Sequence, residues 1–199
     1  MVVGVRNALL EMLLLVATVS AKSYEVPGAT SDITINTDST FDVVETWRYS
    51  FDGDFSAVDR VIYLQGIDDI SDIQAFEGGA PMDFDVSRSS GQVMVTLNFA
   101  AHNEDKEFTI KYKVHGGMNY FSDLDAFYWK AIPAERDVPI GHVKVVLHFP
   151  APLDANATEI ALHTNAQNAR HYFIDARTLA FEGDNVPVGD EFEVGATMP

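Results

Sequence analysis

The chain has 199 residues, of which 47% are hydrophobic and 22% charged, enough to build one good core. Its 30 acidic and 13 basic residues give a formal charge of -17, which repels nucleic-acid phosphates and anionic lipid headgroups. Cysteine is absent, so disulfides, thiolate catalysis and thiolate metal sites are excluded.

Residues 1–21 read MVVGVRNALLEMLLLVATVSA. Arg6 precedes an apolar run, Ala8–Val19, interrupted only by Glu11, and Val19 with Ala21 supplies a cleavage pattern before Lys22. The run is shorter than the roughly 20 apolar residues of a membrane span. It predicts a signal peptide over 1–21 and an exported domain over 22–199. A carboxylate is costly in an apolar helix, so Glu11 leaves open a buried amphipathic helix instead.

Beyond Lys22 the pattern is that of strands. Ile33 and Ile35 mark a short strand, and a polar turn follows at Asn36–Thr40. Phe41, Val43, Glu45, Trp47, Tyr49 and Phe51 then share one parity, while Asp42, Val44, Thr46, Arg48 and Ser50 share the other. This period of two predicts a long strand. Val93–Phe99 and Phe108–Val114 alternate in the same way, and the polar Ala100–Lys106 segment between them predicts an antiparallel hairpin. Val143–Phe149 is a further strand, ended by Pro150. Shorter candidates lie at Val61–Leu64, Ile70–Phe76, Ala126–Ile132, Glu159–His163, His171–Ile174, Thr178–Phe181 and Glu191–Val194. No helical stripe occurs after Lys22. The expectation is an all-β, single-domain antiparallel β-sandwich of about ten strands, immunoglobulin-like in general architecture.

Glu45 falls on the apolar side of its strand, where an unpaired carboxylate would cost several kcal/mol. Arg60 opens the next apolar run, Arg60–Leu64, and its planar fork suits a bidentate pair. A structural ion pair between Glu45 and Arg60 is expected. A recognition or catalytic carboxylate, or a side chain reaching solvent at a sheet rim, stays open.

No phosphate loop, zincin helix or nucleophile elbow is present, and no cofactor is expected. Of the six histidines, His142 and His148 share a face but stand about 20 Å apart at strand rise. His115 and His142 could share a metal only if their strands pair. Asp52/Asp54, Asp68/Asp69 and Asp83/Asp85 are candidate calcium loops or solvated turns, without EF-hand spacing. Asp123 and Asp125 lead into Tyr128 and Trp129, a possible interaction rim or a core segment with a polar lead-in. Asn156-Ala157-Thr158 is a glycosylation sequon, meaningful only in a eukaryotic secretory protein.

Several stretches taken together carry a resemblance. They are Ser23–Val26, Ile33–Asn36, Phe41–Tyr49, Asp59–Ile62, Ala126–Ile132 and Asp137–Val145, the last leading to Phe149-Pro150. In combination they resemble the N-terminal extracytoplasmic domain of the YciQ-like predicted membrane proteins, a domain family of unknown function. The resemblance implies a signal peptide, an outward-facing β domain, and membrane anchoring by later helices that this chain does not contain. It carries Glu45 and Arg60 without a catalytic role for either. The segment before the arginine, Phe55–Asp59, departs from the family's small or glycine-containing pattern. The expected function is a non-enzymatic exported ectodomain that binds a protein or cell-envelope partner. A carbohydrate- or calcium-binding module and an envelope hydrolase with paired carboxylates are the alternatives.

Overall fold

Strand-period alternation predicts a β structure, and the computed structural model, which describes residues 22–120 and 124–198, holds fifteen strands and no helix there. The expected signal peptide, residues 1–21, lies outside the described residues.

Numbered in chain order, the strands form three sheets. The large sheet runs β13 (Gln167–Asp175), β14 (Thr178–Val186), β11 (Ile140–His148), β1 (Ser23–Ile35), β2 (Thr40–Asp52), β8 (Asp105–His115), β4 (Asp69–Glu77) and β5 (Ala80–Pro81). A four-stranded sheet runs β12 (Ile160–His163), β15 (Phe192–Met198), β10 (Asp125–Ile132) and β9 (Met118–Tyr120). A three-stranded sheet runs β3 (Asp54–Tyr63), β7 (Gln92–His102) and β6 (Phe84–Ser89).

One folded ribbon joins the large and the three-stranded sheets. Thr40 pairs with His115 and Ser50 with Asp105 in the large sheet. The same antiparallel register resumes beyond the corner, from Asp54 opposite His102 to Tyr63 opposite Gln92, with one bulge between Phe55 and Ala57. Residues 40–63 and 92–115 are therefore two long strands, each bent once. At the bends Gly53 (φ 98°) and Asn103 (φ 50°) take left-handed conformations, which Gly adopts freely and Asn tolerates. The Asn103 side chain accepts from the Gly53 N–H at 2.6 Å, tying one bend to the other.

Two expectations are corrected here. Val93–Phe99 and Phe108–Val114 do not form a hairpin with each other: β7 pairs with β3 and β6, and β8 with β2 and β4. The polar segment between them is a corner where the chain changes sheets. Nor is the architecture purely antiparallel, because β1 and β11 pair in parallel from Val26–Ile140 to Thr34–His148.

A single hydrophobic cluster connects the sheets, with Ile33, Phe41, Phe108, Phe127, Leu147, Phe181 and Phe192 fully buried within it. Phe41 of the large sheet meets Phe127 and Trp129 of β10 edge-on, each at 5.1 Å between ring centroids. Phe99 of β7 lies 4.7 Å from Phe108 of β8 across the bent ribbon.

The parallel pair depends on one close approach. A Cβ at Gly141 would stand 2.6 Å from the Pro27 carbonyl oxygen, where β1 is bulged between Glu25 and Gly28. The obstacle is backbone and cannot swing aside. Gly141→Ala is expected to destabilise the fold by about 1–3 kcal/mol, as overpacking does. Urea unfolding checks this, and an unchanged midpoint would contradict it.

Candidate functional site: a sealed ionic cluster and the groove beside it

The bend of the ribbon decides what Glu45 meets. Glu45 precedes the Gly53 corner on β2 and Arg60 follows it on β3, so folding the ribbon brings the two face to face. Arg60 donates from Nε to Glu45 Oε2 at 2.7 Å and from Nη2 to Oε1 at 2.8 Å, a bidentate pair. Trp47 Nε1 donates to Oε2 at 3.0 Å and the Tyr112 hydroxyl to Oε1 at 2.5 Å. Glu45 is fully buried and Arg60 is 7% exposed. The guanidinium also lies 5.4 Å from the Trp47 ring.

Arg60 reaches further. Its Nη2 donates to the Ala131 carbonyl of β10 at 3.3 Å, and Nη1 donates to the Val61 carbonyl. One guanidinium thus joins a carboxylate of the large sheet, a carbonyl of the three-stranded sheet and a carbonyl of the four-stranded sheet. Trp47, Tyr112 and the Ala131 carbonyl were not among the expected partners. One of them had a sequence signal: Trp47 is two residues from Glu45 on the same face, whereas Tyr112 is diagonal to Glu45 only through the β2–β8 register, which the strand pattern alone does not give.

Burial pushes the Glu45 carboxyl up, but the Arg60 charge and the bonds from Arg60, Tyr112 and Trp47 hold it below the usual carboxylate range. Burial likewise works against the charge on Arg60, and Glu45 reverses that effect. Tyr112 is held well above its ordinary value by burial and by the adjacent carboxylate. The pair stays charged and the phenol neutral at any physiological pH.

On the outer face a second carboxylate is also held down. Glu182 of β14 accepts from Tyr172 Oη at 2.6 Å and Arg170 Nη2 at 2.7 Å, with Lys144 Nζ at 3.2 Å. Those bonds, Tyr172 first, lower its pKa to about 2 against a partial desolvation penalty. A depressed carboxylate contributes stability that is present above its unfolded value of about 4.3 and lost as pH falls towards the folded one. Glu182→Gln is expected to flatten the dependence of the urea midpoint on pH between about 5 and 2. Parallel curves for the two proteins would contradict this.

Beside the ionic cluster two clefts, of about 400 and 390 Å³, lie along β3 and share Arg60, Val61, Pro133 and Glu135. Trp129 lines the first, buried at 6% exposure, and its indole N–H has no acceptor among the described residues. Tyr128 lines it too but is 43% exposed, so alternation along β10 turns these two neighbours to opposite faces. Asp125 is half-buried at the start of β10, and Asp123 lies outside the described residues. Arg136, which no sequence pattern singled out, donates to the carbonyls of Pro133, Val186, Pro187 and Asp190 and ties two loops together.

His142 contacts Asp184 at 2.7 Å and His148 contacts Asp32 at 3.2 Å. His115 is separated from His142 by two intervening strands, β1 and β2, so the strands that would have to pair for a shared metal do not. Asp54 contacts His102, Asp69 pairs with Arg88, and Asp85 accepts from Asn98. Among the described residues no three His, Asp or Glu side chains converge as a metal site requires. Asn156 is exposed in a turn, where its N–H bonds Asp154.

The described residues define an all-β, multi-sheet class of protein with a buried Glu45–Arg60 ion pair between its sheets. The chain belongs to the family described as predicted membrane protein (DUF2207) N-terminal domain, whose model matches residues 25–198. It corresponds to the extracytoplasmic portion of these membrane proteins, a domain of unknown function. Among the described residues no helix is long and apolar enough to cross a membrane. No curated protein matches the chain by sequence.

Solved structures share the fold at low identity. A protease candidate from Parabacteroides distasonis matches with TM-score 0.55 and 9% identity, over 88% of this chain and 40% of its own. Leukotriene A4 hydrolase from Saccharomyces cerevisiae matches with TM-score 0.52 and 11% identity, over 88% of this chain and 29% of its own. A candidate nutrient-binding protein from Legionella pneumophila matches with TM-score 0.52 and 6% identity, over 87% of this chain and 66% of its own. The chain thus spans less than half the length of the first two, and these similarities speak to fold alone.

Proposed function

We propose that this chain is a non-enzymatic ectodomain that presents a binding surface for a protein or cell-envelope partner outside the membrane. One observation carries the reading. Glu45, the carboxylate most withdrawn from water, accepts four hydrogen bonds and has no exposed surface, so it holds the fold and has no access to a substrate. The pair acts as a structural clamp, and the clefts beside it supply the recognition surface, with Tyr128 at the rim.

The three sheets make one folding unit, a two-layer sandwich with the large sheet facing the other two. The aromatic contacts of Phe41 with β10 and of Phe99 with Phe108 support it. Its eight-strand order with a parallel pair differs from the orders of immunoglobulin domains, which use about seven to nine strands in all.

The test combines two measurements. The protein is incubated with panels of peptide, ester and glycoside substrates, and a photocrosslinking residue is placed at Tyr63, Tyr128 or Tyr172 in cells. No turnover, with adducts formed from one face only, is expected. Turnover abolished by a variant that still folds, or no adduct from any face, would overturn the reading.

A further inference from the structure

β3 is an edge strand: β7 pairs with one side of it, and no described strand pairs with the other. Successive backbone N–H and C=O groups point to opposite sides of a strand. Leu64 sends its N–H to the Gly91 carbonyl on the β7 side. Val61 and Tyr63 therefore direct theirs to the open side, where the Val61 carbonyl accepts from Arg60. Across the gap, β9 covers β10 only at Asp125–Phe127, and the Ala131 carbonyl faces the same guanidinium. The two clefts adjoin at Arg60, Val61, Pro133 and Glu135 and together form a groove along this unpaired edge, lined from Phe55 to Ile67.

The groove has a sign. Asp59, Glu135, Asp137, Glu191 and Glu193 line it. Lys130 offsets Glu191 at 2.7 Å and Glu45 balances Arg60, while Arg136, held by loop carbonyls, keeps its charge; Asp59, Glu135, Asp137 and Glu193 leave the balance acidic. The formal charge of -17 adds to the local field. The buried Trp129 indole N–H, without an acceptor among the described residues, lies in the same wall, and Tyr63 is 37% exposed on the facing strand.

We propose that the open edge of β3 takes an extended, cationic peptide segment as an added strand. Backbone bonds to the Val61 N–H and to Tyr63 supply affinity, and alternate Lys or Arg side chains meet Asp59 and Glu135. The inference rests on the ectodomain reading and names the chemistry of its partner.

The full chain is titrated calorimetrically with a blocked eight-residue peptide alternating lysine and valine, and with its glutamate–valine counterpart. Binding of the lysine peptide alone is expected, weakening at high salt. Val61→Pro removes the N–H that faces the groove and leaves the ladder to β7 intact; a loss of about tenfold or more in affinity is expected. If that variant fails to fold, Asp59→Lys with Glu135→Lys, both at exposed positions, is expected to reject the lysine peptide and accept the glutamate one. Equal binding of both peptides, or binding indifferent to these substitutions, would overturn the proposal. So would self-association through the edge, which would make a second copy the occupant. No binding of the lysine peptide overturns the edge assignment alone, because the ectodomain reading fails instead on turnover or on missing adducts.

Discussion

Glu45→Gln is expected to lower the unfolding free energy by about 3–5 kcal/mol, the cost of removing one partner from a buried ion pair. The side chain keeps its size, so the effect is not one of volume. Arg60 is 7% exposed and would retain its charge with nothing to balance it. At about 2–4 °C of melting temperature per kcal/mol for a chain of this size, the midpoint should fall by about 6–20 °C. Thermal unfolding followed by circular dichroism reads this directly. A shift below about 2 °C would mean that Arg60 finds another partner or reaches water.

Phe41→Ala is expected to cost a similar amount, about 3–5 kcal/mol, for a different reason. Phe41 is fully buried between Phe127 and Trp129, and a Cβ on Gly117 would stand 2.2 Å from its ring. Truncation opens a void beneath β10 that backbone on one side and rings on the other cannot close. Both the lost transfer energy and the cavity contribute. Urea unfolding should give a lower midpoint with the slope unchanged. Phe41→Leu, which fills more of the space, should recover part of the loss.

The sequence revealed strands well where one face is dry and the other wet. β2, β7, β8 and β11 alternate cleanly because the same parity is buried along most of each. β6 was missed because five of its six residues are exposed, so it carries no apolar period. Only the end of β1 is legible, because ahead of Ile33 the buried positions beside Val26 are the small or polar Gly28, Ala29 and Ser31. Partnership was harder still. The pattern predicts a strand, but strand pairing depends on where the chain bends. One trace of the bend was present: buried positions run Val93, Val95 and Leu97, then Phe108, Ile110 and Tyr112, with parity reversed across the corner. The same reversal separates Phe41, Val43, Glu45 and Trp47 from Arg60 and Ile62.

The candidate site followed the same division. A carboxylate on an apolar face demands a cation, and that demand is local enough to be read from residues 43–47 and 60–64. Arg60's third attachment, to the Ala131 carbonyl, involves backbone and carries no residue signature. The groove along β3 is equally invisible in sequence, since an edge is defined by which strand is not beside it.

The claim that the folded ribbon is clamped by Glu45 and Arg60 meets its most direct test in a double-mutant cycle. Glu45→Leu and Arg60→Met are made singly and together, and their urea unfolding free energies compared. Each single change is expected to cost about 3–5 kcal/mol, while the double variant recovers most of it because no unpaired charge remains. Two losses that simply add in the double variant would contradict the clamp and make each residue's effect its own.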